Sequence, residues 1–435
     1  MKTAVRNAIV VGLLIREVFS FWTGHPYDFE LWVRTGYWVV RGLDPYGVVP
    51  FAPGVSFVAD LSAGGAPTVA YLPFWPLLLG GIYIVYAALG APSPLLYYFM
   101  LKQPIIIGDV AFAYLLYRFL EKRGSGKATL AMKLWLFSPF NIVLSAIWGM
   151  FDSIAMVFLI LALESKAGGA RAAWSGVATF VKSIPVIFAV PLAIGPTRAR
   201  SVAGLAMSIG IPSGLTLLTI AATGWSPQVV ITTLQSTIAK GGLTLSPEEI
   251  LFYLNSLGVT REFLAVEIFY GYAWIPSCLI AVVGARRWFG FDSERGFVQS
   301  LILVVVVFLL MRGQVNVQYS IYLLGLMLID VGMWSPNRLR LFVAYVTVVF
   351  LATIVNDVLG IRFLAPVFLG AIPLEASIIR AINPYRDAGL LLLAICFVGL
   401  NLVYAVSLFK ERRSVRPARF QVPDFSRDRR EREPS

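Results

Sequence analysis

The stretch LILVVVVFLL, Leu301–Leu310, decides the fold class of this chain. No charge interrupts it, and comparable apolar runs follow at Val315–Val331 and Leu341–Leu359. About twenty mainly apolar residues are enough to cross a bilayer as a helix. Hydrophobic residues make up 58% of the 435-residue chain and charged residues only 14%, far from the balance of a soluble domain. We therefore predict an all-α fold, a polytopic transmembrane helical bundle.

The order of apolar runs and charges predicts about eleven to thirteen spans. Lys2 and Arg6 precede the first run, so the positive-inside rule puts the N-terminus in the cytoplasm and, with the later charges, the C-terminus as well. The net charge of +12 is explained by orientation in the membrane, so no nucleic acid partner is expected. The span count stays open around three segments, 68–90, 172–194 and 360–387.

The domain organisation follows from the same pattern. Residues 1–410 form one transmembrane domain, and the charged segment 411–435 is predicted to be a disordered cytoplasmic tail. The segment 68–90, with its prolines and tyrosines, is predicted to lie in the outer interface. The segment 172–194 is predicted to turn at Lys182–Pro185, because proline tends to end a helix. The segment 360–387 is predicted to be an outer loop with an interfacial helix.

The first outer loop, residues 23–94, is the first place to look for chemistry. It opens with TGHPYDFELWVRTGYWVVRGLDPY, Thr23–Tyr46, in which Asp28, Glu30 and Asp44 stand among aromatic residues. Carboxylates at a membrane boundary need water, a partner or a substrate. Asp28 and Glu30 could equally be solvated charges at the start of an interfacial helix predicted from about Asp28.

Other ionisable residues are predicted near the same outer face, and each has a structural reading beside the functional one. Asp152 begins a predicted helix, where aspartate is a common N-cap. Lys182 lies in an apolar run and needs a carboxylate, a phosphate, water or an interface. Arg312 opens the polar patch that also holds Gln318 and Tyr319, which could be a phosphate site or an ordinary turn. Asp109, inside a predicted span, is expected to make a structural hydrogen bond.

Several function classes are not supported by the sequence. It has no phosphate-binding loop, serine hydrolase elbow, zinc-protease motif or dinucleotide fingerprint. His25 is the only histidine, and Cys278 and Cys396 form no metal-ligand spacing. No cofactor is assigned, although Asp28 and Glu30 could bind a divalent metal such as Mg or Mn.

The order of motifs resembles the GT-C membrane glycosyltransferases, in particular the enzymes that add the first mannose to GPI precursors and their prokaryotic relatives that use polyprenyl-phosphate-mannose. The residues that carry the resemblance are Tyr27-Asp-Phe-Glu30, Gly42-Leu-Asp-Pro-Tyr46, Tyr71-Leu-Pro73, the stretch from Lys102 to Asp109, Ser138-Pro-Phe-Asn141, Trp148-Gly-Met-Phe-Asp-Ser153, Lys182-Ser-Ile-Pro185 and Gln318-Tyr-Ser320. Met150 stands where related enzymes carry glutamine.

The resemblance implies a hexosyltransferase with an extracytoplasmic active site and interfacial helices in its first outer loop. Asp28 would be the general base on an acceptor hydroxyl, and the sugar, mannose by the closest resemblance, would leave a polyprenyl phosphate with inversion. Donor and substrate binding would fall to Glu30, Asp152, Lys182, Arg312, Gln318 and Tyr319. The partners would be a polyprenyl-phosphate-sugar donor, a glycan or glycolipid acceptor and membrane lipid.

Two other classes of function remain open from the sequence. A transporter or flippase for lipid-linked or small polar substrates would also place polar residues in a membrane bundle, although we find no internal repeat. A non-catalytic membrane scaffold is the third reading. It would not require ionisable residues to be gathered in one place.

Overall fold

The computed structural model describes residues 2–59, 68–194, 198–232, 245–258, 264–291, 293–313 and 315–414, and within these ranges the chain is helical and contains no strand. This confirms the predicted all-α class. The part of the predicted tail from 415 onward lies outside the described residues. Residues 411–414, by contrast, are the end of a long helix.

The N-terminal region consists of a first helix and the two helices of the first outer loop. Helix α2 begins at Asp28, as the sequence predicted, and packs against α3. Helix α3 has 15 residues, about 22 Å at 1.5 Å per residue, and this is shorter than the roughly 30 Å apolar core of a bilayer. Its length therefore fits the interfacial position predicted for 68–90. The bounds are α1 Thr3–Ser20, α2 Asp28–Val39 and α3 Phe74–Ala88.

Five helices among the described residues are long and apolar enough to cross a membrane, and a sixth span results if one bent pair counts as a single crossing. This supports an integral membrane protein. It is fewer than the eleven to thirteen predicted spans, because several predicted crossings are helices shorter than 18 residues. The long helices are α4 Pro94–Glu121, α10 Arg198–Thr223, α13 Glu294–Met311, α15 Leu339–Asn356 with the turn before it, and α16 Ala371–Ser414.

The bent pair of helices ends at Trp148. Helix α5, Ala128–Leu136, is followed after a 50° bend by α6, Pro139–Ile142, which continues as a π-helical turn over Val143–Trp148. Gly149 ends this turn at φ +94°, in the left-handed region that favours glycine. A Cβ at Gly149 would lie 2.9 Å from the Phe29 ring, so the first outer loop and this turn pack closely.

The Lys-Ser-Ile-Pro motif breaks the helix where the sequence predicted. Helix α8, Gly168–Val181, ends directly before Lys182, whose backbone is extended. A 3-10 turn, Ile184–Phe188, and the short helix α9, Ala189–Ala193, then pack against α8. The segment 172–194 is therefore two short helical pieces.

The prediction for 360–387 was wrong in part. Residues 358–364 do form a 3-10 turn, but helix α16 starts at Ala371 and continues without interruption through the predicted last span to Ser414. Pro384 lies inside this helix. The proline and the charges suggested a helix boundary. Proline has no N–H to donate to the carbonyl four residues earlier, but a long, packed helix tolerates the loss of one such hydrogen bond.

The remaining helices complete the bundle. Helix α7 begins at Asp152 and packs against both α4 and α8, and α14 packs against α13. These contacts bring the start of α7, the end of α8 and the start of α14 to the same part of the molecule. Their bounds, with the two helices between α10 and α13, are α7 Asp152–Glu164, α11 Pro247–Ser256, α12 Leu264–Trp288 and α14 Ser320–Met333.

Candidate functional site

Asp28 lies in the first outer loop and contacts the end of the π-helical turn. Its Oδ2 accepts a hydrogen bond from the indole Nε1 of Trp148 at 2.9 Å. The His25 ring stacks on the Trp148 ring, with centroids 5.0 Å apart. The Asp28 side chain keeps 23% of its surface exposed. It is therefore oriented by a partner yet still reachable from outside.

His25 acts as a neutral cap for α2. Its Nδ1 accepts from the backbone N–H groups of Tyr27 at 3.3 Å and Asp28 at 3.1 Å. A nitrogen that accepts two hydrogen bonds carries no proton, so the remaining ring proton is on Nε2. Burial lowers the pKa of His25 well below its ordinary value. The 3.4 Å contact between Nδ1 and the Asp28 carboxylate is consequently not an ion pair.

The electrostatic surroundings of Asp28 suit a proton acceptor. Burial raises the pKa of Asp28, while the hydrogen bond from Trp148 and the charges of Lys182 and Arg362 lower it. The negative charge of Asp152 raises the pKa of Asp28 further. The net pKa lies above the ordinary value, which brings a carboxylate closer to the range in which a general base works well.

Asp152 and Lys182 form a buried ion pair next to Asp28. Lys182 Nζ lies 3.1 Å from Asp152 Oδ2, and the two side chains are 1% and 0% exposed. Tyr322 donates a hydrogen bond to Asp152 Oδ1 at 3.2 Å. Asp152 does start α7 but does not cap it, so the predicted N-cap role was wrong: the carboxylate is directed to another helix instead.

Lys182 retains hydrogen-bonding capacity. Its contact with Asp152 has ion-pair distance without hydrogen-bond geometry, and Nζ makes no hydrogen bond within the described part of the chain. Nζ lies 4.2 Å from the ring centroids of Tyr71 and Phe151, which adds cation–π attraction. With one N–H group directed toward Asp152, the ammonium still has donors available to a ligand.

Arg312 is the second cation at the site, and it is 6% exposed. Its guanidinium lies 5.4 to 5.6 Å from three aromatic ring centroids, those of Trp274, Phe308 and Tyr319. Among the described residues, no hydrogen-bond or ion-pair partner of the guanidinium is found, and its buried Nε is unsatisfied. A buried guanidinium normally has a carboxylate or phosphate partner.

Tyr71 and Tyr319 connect these groups into one cluster of side chains, called the pocket below. The charges of Arg312, Asp152 and Asp28 all act on the Tyr319 hydroxyl. Those of Asp28 and Asp152 also act on Tyr71, which lies beside Gln318. The structure therefore brings together six of the seven residues singled out in the sequence: Asp28, Asp152, Lys182, Arg312, Gln318 and Tyr319.

Glu30, the seventh, lies apart from this pocket. It is fully buried, its Oε1 accepts from Arg34 Nε at 2.6 Å and its Oε2 accepts from the backbone N–H of Phe57 at 2.9 Å. Both oxygens thus hold the first outer loop together. A Mg or Mn ion bound jointly with Asp28 would have to share these two oxygens with the Arg34 and Phe57 donors. Within the described ranges, no group of three or more metal-ligating side chains is present.

Asp109 has the structural role that was predicted. It receives hydrogen bonds from Trp135 at 2.7 Å and Ser145 at 3.1 Å, and a charged one from Arg16 at 2.6 Å. This network joins α1, α4, α5 and the π-helical turn. It is fully buried and separate from the pocket around Asp28.

Sequence reasoning missed several residues of the pocket as site residues. Trp148 and Tyr71 lie in motifs that carry the resemblance, so the sequence did indicate their positions, but it did not predict their contacts with Asp28 and Lys182. Tyr322, Trp274 and Arg362 lie in segments without such a motif, and their positions depend on tertiary packing. No protein-family model matches this sequence, and no curated protein is significantly similar to it.

Proposed function

We propose that this chain is a membrane glycosyltransferase that moves a hexose, by resemblance mannose, from a polyprenyl-phosphate donor to an acceptor hydroxyl on the extracytoplasmic side. The observation that carries the proposal is a cluster, linked through Tyr319, of a partly exposed carboxylate, Asp28, and a buried guanidinium, Arg312, that lacks a partner among the described residues. Hydroxyl attack needs the first group, and phosphate departure needs the second.

Asp28 is the proposed general base. The acceptor oxygen would attack the anomeric carbon while its proton passes to the free carboxylate oxygen of Asp28. The bond between the anomeric carbon and the phosphate oxygen would break, and the phosphate would leave with the bonding electrons. Attack and departure on opposite sides invert the anomeric centre. The hydrogen bond from Trp148 to Oδ2 leaves Oδ1 to take the proton.

Arg312 and Lys182 are the proposed ligands of the phosphate. Arginine binds phosphate through two parallel hydrogen bonds, and lysine contributes a point charge. Both side chains have unused donors in the described structure. Asp152 would keep Lys182 in place between the rings of Tyr71 and Phe151.

A groove beside Arg312 fits the lipid part of such a donor. It has a volume of about 800 Å³ and is lined mainly by apolar residues of α12 and α13, together with Phe409 of α16. It extends to Met311, the residue before Arg312. A prenyl chain in this groove would be surrounded by apolar side chains, with its phosphate near the guanidinium.

The test is transfer of labelled mannose from polyprenyl-phosphate-mannose by the purified protein, with a membrane glycolipid extract as the acceptor. Asp28→Asn is expected to lower the rate by about 10²-fold or more. Asp44→Asn is the matched control, because Asp44 lies in the same loop but accepts from the backbone N–H groups of Tyr46 and Ser226. Its rate is expected to stay near that of the wild type.

Two results would refute the proposal. Transfer by Asp28→Asn at the wild-type rate would remove Asp28 as the base. Uptake or flipping of the donor in liposomes without any transfer would identify a transporter instead. Binding of polyprenyl phosphate gives an independent measurement, and Arg312→Leu is expected to weaken it while Arg312→Lys restores part of the affinity.

A further inference from the structure

Lys102 is a fully buried lysine in α4 that the site described above does not use. An ammonium in such a place is expensive unless it is compensated. Within the described residues, Lys102 has no carboxylate at ion-pair distance. Its surroundings consist of oxygen atoms with partial charges and the ring of Phe29, whose centroid lies 5.0 Å from Nζ.

Four oxygens surround the ammonium. Nζ donates to the Ala146 carbonyl at 2.7 Å, the Thr23 hydroxyl at 3.0 Å and the Ile147 carbonyl at 3.3 Å, and it also contacts the Thr23 carbonyl. A lysine has three N–H donors, so at least one of them is shared. A ring of neutral oxygens around a single positive charge is how proteins coordinate monovalent cations.

These oxygens belong to the two segments that meet at Asp28. Thr23 begins the first outer loop, and Ala146 and Ile147 directly precede Trp148. The same junction contains a hydrogen bond from the backbone N–H of His25 to the Trp148 carbonyl at 3.3 Å. A Cβ at Gly24 would lie 2.4 Å from the Phe29 ring, so this ring is packed tightly at the junction.

We infer that the four oxygens form a monovalent-cation site, filled by the protein's own Lys102 ammonium, which fixes the first outer loop to the turn that carries Trp148. Lys102 is thus a positioning residue: without its charge the carbonyls of both segments repel each other and the loop separates from the turn. The cation site does not depend on the proposed transfer reaction. Its effect on Asp28 through Trp148 rests on that proposed function.

The test replaces the ammonium chemically. In Lys102→Ala the missing atoms correspond to propylammonium, so this ion can refill the site. We expect the variant to unfold at a temperature roughly 5 °C lower than the wild type. Propylammonium is expected to recover at least half of the loss, whereas uncharged propanol at the same concentration recovers none. Lys133→Ala is the matched control, because Lys133 is exposed on α5.

Hydrogen exchange gives a local readout. Peptides that cover residues 23–29 and 144–149 are expected to exchange faster in Lys102→Ala and to regain protection with propylammonium. If the alanine variant does not fold, Lys102→Met keeps the volume and removes the charge, and the same peptides are expected to lose protection. Wild-type protection in the methionine variant, or no recovery by propylammonium in a folded alanine variant, would overturn the inference.

The two proposals fail in different ways. Recovery of stability and protection in a protein that never transfers sugar would refute only the proposed function. If transfer does occur, Lys102→Met is expected to shift its pH profile through the changed environment of Asp28. An unchanged pH profile with normal exchange protection would instead count against Lys102 as a positioning residue.

Discussion

Removal of both members of the Asp152–Lys182 pair should destabilise the protein much less than the sum of the two single removals. At 3.1 Å and an effective dielectric constant of about 20, the attraction between the two charges is about 5 kcal/mol before desolvation is subtracted. Loss of one partner leaves a bare buried charge, which typically costs about 3–5 kcal/mol. We therefore expect Lys182→Met and Asp152→Asn each to lower the free energy of unfolding by about 3 kcal/mol. Asparagine still accepts from Tyr322, so that hydrogen bond is retained.

A double-mutant cycle measures the coupling directly. The free energy of unfolding would be followed by circular dichroism in mixed detergent–SDS micelles for the wild type, both single variants and the double variant. The double variant should lose at least about 2 kcal/mol less than the sum of the single losses. Lys133→Met, at an exposed lysine, should change little. Strictly additive losses would show that the two charges do not interact, and the reasoning about this pair would be refuted.

Three further predictions follow from individual residues. Trp148→Phe removes the hydrogen bond that lowers the Asp28 pKa, so the acidic limb of the transfer rate should move to higher pH in a pH–rate profile. Gly149→Ala should destabilise by about 1–3 kcal/mol in thermal unfolding, because of its positive φ and the nearby Phe29 ring, whereas Gly126→Ala, with open space around it, should not. Burial raises the pKa of Asp357 from 3.8 to about 7, so the folded wild type holds a proton that the unfolded chain releases and loses stability as pH rises through that range. The melting temperature of Asp357→Asn minus that of the wild type should therefore increase from pH 4 to pH 8. A difference that stays constant over this pH range would contradict the prediction.

The features that the sequence predicted correctly depend on local signals. Helix α2 starts at Asp28 because acidic residues favour the first turn of a helix, and α8 ends before Lys182 because a proline follows closely. The need of Asp109 for a structural partner also follows locally, because a carboxylate in an apolar run must be compensated. Its partner Arg16 lies 93 residues away and could not be identified from spacing.

The features that could not be predicted depend on packing between distant segments. Hydropathy treats each apolar run separately, so it divided α16 into a loop and a span although the folded chain makes one helix of them. The carboxylate oxygens of Glu30 were available in the sequence but are taken by Arg34 and Phe57 in the fold. The absence of a described partner for Arg312 is likewise a property of the assembled pocket.

The bond between Arg16 and Asp109 has a consequence for how the protein is made. During synthesis, Arg16 leaves the ribosome 93 residues before Asp109, the carboxylate that pairs with it in the described part of the fold. Helix α1 therefore cannot settle among lipid tails by itself with its guanidinium paired. It must wait in a hydrated or protein-lined environment until α4 has been delivered, so that the two enter the bilayer as partners.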